Sequence, residues 1–150
     1  MEKEHHFIVR VYGFIVNKQE ELLLAEEYHF NTFMRKLPGG GLHFGEGPLD
    51  CLKRELMEEL SVQVEIGRHI HTTGSFIQSA FNAAHQVLGI YYIVDAPDEL
   101  VERYREEYPA PAINGEQRFR WVKMADVSEL EFTFPMDQAA LAAFRSEVTI

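Results

Sequence analysis

The residues best placed to do chemistry lie together in Arg54-Glu55-Leu56-Met57-Glu58-Glu59. A helix turns about 100° per residue, so Glu55, Glu58 and Glu59 would share a sector of roughly 100° on one side of it. Carboxylates crowded beside a buried face repel one another, and they either keep a proton or require a cation. Hard divalent ions meet that need, because Mg²⁺ and Mn²⁺ prefer oxygen ligands and leave positions open for water and phosphate. An isolated Glu-x-x-Glu-Glu is more often a solvated acidic helix face, so the residues in front of it decide between the readings. Arg54 stands four residues before Glu58 and could also pair with Glu46 in the preceding loop.

Gly40, Glu46, Arg54, Glu55, Leu56, Glu58, Glu59 and Val62 fall into Gly-x5-Glu-x7-Arg-Glu-apolar-x-Glu-Glu-x-Ser-apolar, a run of 23 residues. This pattern resembles the signature of the Nudix hydrolases, which ends in Gly-apolar where this chain has Ser61-Val62. Leu37-Pro38-Gly39-Gly40 is similar to the family's usual lead-in. The resemblance implies an α/β fold, a Nudix-like α/β/α sandwich with a mixed β-sheet, forming a single domain over residues 1–150. It implies a metal-dependent pyrophosphohydrolase acting on a nucleoside diphosphate linked to another group. Glu55, Glu58 and Glu59 would then hold Mg²⁺ or Mn²⁺ with help from the Gly40 carbonyl, while Glu46 and Arg54 orient loop and helix. The alternative is a Nudix-like sensor that binds a nucleotide or ADP-ribose derivative without turnover. Against the sensor, the helix carboxylates are complete. Relatives acting on ADP-ribose tend to carry a proline shortly after the motif, and those acting on diadenosine polyphosphates a tyrosine; residues 75–80 hold neither.

Outside the motif, Glu116 precedes the Trp121 strand and is the candidate for an additional catalytic acid. Arg35, Phe7 and His85 are weaker candidates for touching substrate. Arg35 stands where many relatives carry Trp, and Phe7, Tyr12 and Phe14 could stack a base or simply pack the core. Arg10, Lys36, Arg118 and Arg120 are scattered cations available to a phosphate. His69 and His71 lack an evident third ligand for zinc. Cys51 has no visible base partner and reads as a small packing residue.

These side chains need elements to position them. Residues 7–26 read as an antiparallel pair around Asn17-Lys18-Gln19-Glu20. Leu37 to Gly41 reads as a loop, because Pro and three glycines do not sustain regular structure. Pro48 to Leu60 has helical periodicity with an apolar stripe of Leu49, Leu52, Leu56 and Leu60, and Pro48 suits the first turn. Val62–Ile66, Gln86–Val94 and Phe119–Val122 read as strands, the second central in a sheet. The acidic, proline-bearing stretch 97–115 reads as a surface insertion, and Ala139–Phe144 sits in a closing helix that Pro135 and Asp137 could start.

Composition bounds the remaining classes. The 150 residues carry 14 basic and 24 acidic side chains, a formal charge of −10. Such a chain repels a nucleic-acid polymer, whereas a bound metal would let it accept a small anionic substrate. One cysteine excludes an internal disulfide and fits a reducing compartment. The charged start Met1-Glu2-Lys3 and the absence of a long apolar run predict no secretory signal, no membrane and a cytoplasmic location. The expected partner is a small nucleoside diphosphate derivative, and a homodimer is left open.

Overall fold

The computed structural model describes residues 4–148, so Met1-Glu2-Lys3 at the charged start lie outside the described residues. Strand β1 (His6–Val16) turns at Asn17 into β2 (Glu21–His29). The Asn17 side-chain oxygen accepts the N–H groups of Gln19 and Glu21 at 2.9 and 3.1 Å, which closes that turn locally. Phe30 and Asn31, both at positive φ, then turn the chain tightly into β3 (Thr32–Lys36).

Residues 39–41 overturn the loop expected there. Gly39–Gly41 form a short strand, β4, paired antiparallel with Arg10–Tyr12 of β1. The reason lies in the sheet. β1 and β2 share only the register pair Val16↔Leu22 and then part, which frees an edge of β1 for β4. Glycine is required there because the space is already taken: a Cβ on Gly39 would stand 2.1 Å from the Val11 carbonyl oxygen.

Helix α1 (Pro48–Leu60) follows, then β5 (Ile66–Thr72) and β6 (His85–Asp95), the short α2 (Asp98–Val101), β7 (Gln117–Lys123) and α3 (Pro135–Val148). The sheet runs β3-β2-β1-β6-β5, with β4 on β1 and β7 on β2. β6 lies parallel to β1 from His6↔His85 to Val16↔Asp95, so it is central as its apolar sequence predicts. Side chains alternate between two faces. Val11, Ile15 and Leu23 pack with Leu52, Leu56 and Leu60 of α1. Tyr12, Phe14, Leu22 and Leu24 pack with Leu141 and Phe144 of α3. Two helical layers therefore enclose a mixed sheet.

Two further expectations are corrected. Leu49 is 47% exposed, and the buried stripe of α1 is Cys51, Leu52, Leu56 and Leu60, rotated toward the glycine strand. Val62 and Val64 are buried without belonging to a strand, and β5 begins at Ile66. The closing helix begins at Pro135, one of the two starts the sequence offers. Segment 97–115 is an insertion with an anchor: Leu100 is fully buried, and Arg103 donates to the Leu60 carbonyl at the end of α1. Trp121 Nε1 donates to the Arg103 carbonyl at 3.0 Å, and Arg105 pairs with Glu21 at 2.9 Å.

Ser61 ends α1 in the left-handed region at φ 54°, ψ 43°, its N–H donating to the Met57 carbonyl at 3.0 Å. Glycine adopts this conformation without the Cβ clash that serine incurs. Ser61→Gly is therefore expected to stabilise the fold by about 1 kcal/mol and to leave turnover within a fewfold. Urea melting and steady-state rates check this; normal folding with abolished turnover would assign Ser61 a direct role.

Candidate active site

Arg54 holds the motif loop to the helix. It meets Glu46 at 2.7 Å, Glu55 at 3.0 Å and Glu58 at 3.3 Å, and donates to the Gly41 carbonyl at 2.9 Å. Glu46 also accepts the His43 N–H at 2.8 Å. The Arg54 guanidinium and that N–H hold the Glu46 carboxyl down to about 2. Cys51 is buried, with Sγ 3.4 Å from the Gly41 carbonyl oxygen, and burial pushes its thiol up to about 11. A thiol held protonated is a packing group here.

Glu55 and Glu59 form the inner part of the carboxylate set, while the Glu58 side chain is 58% exposed. Gly40 makes room for them. A Cβ on Gly40 would stand 2.4 Å from the Glu55 carboxyl, so only glycine lets the helix carboxylate settle onto β4. Burial, followed by repulsion from Glu55, pushes the Glu59 carboxyl up to about 8, against the opposing pull of Lys36 and the Gly39 N–H. A carboxyl that keeps its proton beside a second carboxyl when no cation neutralises them belongs to a donor set suited to a hard divalent ion. The residues present fit such an ion through Glu55, Glu59, the outer Glu58 and the Gly40 carbonyl. Among the described residues, no three His, Cys, Asp or Glu side chains already converge on one point.

A cavity of about 660 Å³ opens on the face of β1 that carries Ile8, Arg10 and Tyr12, and no described residue of α1 or β4 is in its lining. Its floor is polar: Arg10 and Tyr12 from β1, Glu27 from β2 and Lys36 from β3, with Lys36 and Glu27 paired at 2.8 Å. Its walls are aromatic and come from residues 76–81, Phe30 and Phe134. Phe30 and Phe81 meet across the mouth with ring centroids 4.7 Å apart. Beneath the floor Tyr91 donates to Asp137 at 2.5 Å, and Asp137 is fully buried.

The structure sorts the weaker candidates. His85 lines the cavity, with its ring 3.2 Å from the Asn82 amide. Phe7 does not line it: Ile8, Arg10 and Tyr12 face the cavity, and strand alternation turns Phe7 to the other side, where it is 77% exposed. Arg35 does not line the cavity either. It is bound to the buried Glu26 at 2.6 Å, which Arg120 also meets at 2.8 Å, while its neighbour Lys36 takes the cavity side. Glu116 lies just before β7, where its carboxylate accepts the Ile113 N–H at 2.9 Å and its carbonyl accepts the Tyr28 N–H. Those contacts belong to its own turn and to β2. Sequence reasoning missed Glu27 and Asp137, since single acidic residues on a strand or helix carry no spacing signal.

A carboxylate helix lying on a glycine strand, together with an aromatic cavity that carries Arg10 and Lys36, is an arrangement suited to a divalent ion and an anionic ligand. The chain belongs to the Nudix family: the NUDIX domain matches residues 6–143. The chemistry of that family is hydrolysis of pyrophosphate bonds in nucleotide-derived substrates, generally with divalent metal ions. Over 51 residues the chain is 41% identical to an RNA pyrophosphohydrolase of Ruthia magnifica subsp. Calyptogena magnifica, a stretch covering 34% of this chain and 27% of that protein. It thus spans about a quarter of that relative's length. Its fold is similar to the MutT protein of Methanosarcina mazei Go1, at TM-score 0.72 and 18% identity over 99% of this chain and 100% of that one. A Nudix hydrolase of Nitrosomonas europaea is similar at TM-score 0.70 and 16% identity, over 95% and 90% of the two chains. At those identities the likeness establishes the fold. Among the described residues no helix is long and apolar enough to cross a membrane.

Proposed function

We propose that this chain hydrolyses a phosphoanhydride bond in a nucleoside diphosphate linked to another group, using Mg²⁺ or Mn²⁺ held by Glu55, Glu58, Glu59 and the Gly40 carbonyl. The observation that carries the reading is the Glu55–Glu59 pair seated on Gly40, with the Glu59 carboxyl held up to about 8 and with Lys36, whose charge reaches Glu59, in the cavity lining. When bound, the cation supplies positive charge to the phosphates and a water activated for attack. The protein supplies the rest. Arg54 and Glu46 fix the loop against the helix, so the carboxylates and the Gly40 carbonyl keep one geometry. Lys36 and Arg10 offset the negative charge of the substrate at the cavity floor, and the aromatic walls seat its apolar part and exclude water. Acid–base work falls to the helix carboxylates, with Glu116 as a secondary candidate.

The test is a panel of nucleotide sugars, dinucleotides, dNTPs and oxidised nucleotides with Mg²⁺ and Mn²⁺, alongside calorimetry and melting curves. Turnover of one substrate class is expected, together with a melting shift in saturating Mn²⁺, since an ion that binds only the native state stabilises it by mass action. Metal and nucleotide binding without turnover would replace the enzyme by a sensor. Neither heat of binding nor melting shift, with or without nucleotide, would remove both readings.

A further inference from the structure

Two cations line the cavity, Arg10 and Lys36, and they differ in how their charge is used. Lys36 is held by Glu27 at 2.8 Å. Arg10 has no carboxylate within salt-bridge distance among the described residues. Its Nε donates to the Tyr12 hydroxyl at 2.5 Å, and its guanidinium carbon lies 5.6 Å from the centre of the Tyr12 ring. That bond occupies one donor and fixes the plane of the fork. The two terminal nitrogens, Nη1 and Nη2, have no hydrogen-bond acceptor among the described residues.

Their placement is specific. Arg10 stands directly opposite Gly41 of β4 in the sheet register, and Nη1 lies 3.9 Å from where a Cβ on Gly41 would be. With no side chain on Gly41, the fork reaches over the strand that carries the motif. The charges of Glu55 on α1 and Glu27 on β2 both favour the protonated guanidinium, outweighing with Tyr12 the effect of burial. Arg10 therefore stands at the seam between the carboxylate helix and the cavity. A half-buried guanidinium without a bonded counter-charge costs stability. Its geometry matches one kind of ligand: two adjacent oxygens of a phosphate, which a planar fork binds through parallel N–H bonds.

We infer that Arg10 binds substrate as a bidentate phosphate clamp, taking two oxygens of the phosphate that joins the scissile linkage to the group seated in the cavity. The inference rests on the proposed phosphoanhydride chemistry for the identity of the ligand, but it concerns a residue outside the motif. Arg10 would set the register of the substrate, so that one particular linkage is presented to the helix carboxylates.

The test compares the parent with Arg10→Gln and Arg10→Lys in equilibrium binding of α,β-methylene-ADP, a non-cleavable diphosphate, and of adenosine, both with Mg²⁺ present. Arg10→Gln keeps a side-chain donor and Arg10→Lys keeps the charge, so both are expected to fold with melting temperatures near the parent's. For α,β-methylene-ADP the affinity should fall about tenfold or more in Arg10→Gln and by a smaller factor in Arg10→Lys, whose ammonium is not a fork. Adenosine should move less than twofold. A loss as large for adenosine as for the analogue would make Arg10 a structural support of the cavity and overturn the assignment. So would equal analogue affinity in all three proteins. The comparison is independent of turnover. A parent that binds the analogue through Arg10 but hydrolyses nothing in the panel keeps the clamp and loses the enzymatic reading. Hydrolysis combined with equal binding does the reverse.

Discussion

Glu59→Gln is expected to lower turnover at least about a hundredfold on the best substrate at saturating metal while the fold survives, because it removes a charged oxygen from a site whose reaction depends on charge stabilisation. Glu58→Gln should cost a similar factor. Its side chain is the more exposed of the two, and Arg54 keeps Glu46 and Glu55 as partners without it. A second readout separates the catalytic reading from a structural one. The Glu59 carboxyl is held up to about 8, above the ordinary 4.5, by burial and by Glu55. Between those values the native metal-free protein binds more protons than the unfolded chain, so its stability falls as pH rises from 4.5 through 8. Glutamine has no such proton to lose. Metal-free Glu59→Gln should therefore melt above the parent at pH 8, by an amount of order 2 kcal/mol in stability, and should lose most of the Mn²⁺-induced shift. Near-parental turnover in both variants would defeat the catalytic assignment. A large metal-free destabilisation would make Glu59 a structural ion-pair partner instead.

The carboxylate helix was legible because it is coded locally. Pro48, the leucine spacing and the glutamate spacing all sit within one helix, and each constrains the same rotation. The crowding of Glu55 and Glu59 follows from that rotation alone, and after burial it is the next largest cause of the raised Glu59 carboxyl. Gly39–Gly41 was not legible as a strand, because glycine has no strand propensity and the pairing depends on where β1 and β2 part. Long-range geometry hid the cavity in the same way. Phe30, Phe81 and Phe134 are separated by tens of residues in sequence and meet only through the order of strands. Alternation within β1 is readable, but which face becomes the cavity is not. For that reason Phe7 stands among the substrate candidates and Arg10 only among the scattered cations, although Arg10 lines the cavity and Phe7 points to the other side of the strand. Glu26 likewise becomes intelligible only once β3 and β7 bring Arg35 and Arg120 to it from the two neighbouring strands.

The second large effect is expected at Asp137, beneath the cavity floor. Tyr91 donates to one carboxylate oxygen at 2.5 Å, and the other, Oδ2, is buried without a hydrogen-bond partner among the described residues. Burial raises the Asp137 carboxyl to about 6 from the ordinary 3.8, despite the Tyr91 hydrogen bond and the charges of Lys36 and Arg10, all of which pull it down. Desolvation wins because the side chain is fully buried and only one oxygen is satisfied. The sign of the pH dependence follows. Between pH 3.8 and 6 the native state holds a proton that the unfolded chain has released, so stability declines as pH rises and levels off above 6. A displacement of about two pKa units corresponds to roughly 3 kcal/mol of lost stability. Asp137→Asn keeps an oxygen acceptor for Tyr91 and carries no charge at any pH, so it should escape this loss. At pH 8 the variant is expected to melt roughly 5–10 °C above the parent. At pH 3.5, where both side chains are neutral, the gap should shrink to within about 1 kcal/mol, the residue being the unsatisfied amide against the unsatisfied acid. Glu59 also titrates in this range, but it is present in both proteins, so the difference between their melting curves at each pH isolates Asp137. A gap of constant size from pH 3.5 to 8 would mean that Asp137 ionises like an exposed carboxylate, and that something beneath the floor supplies Oδ2 with a partner.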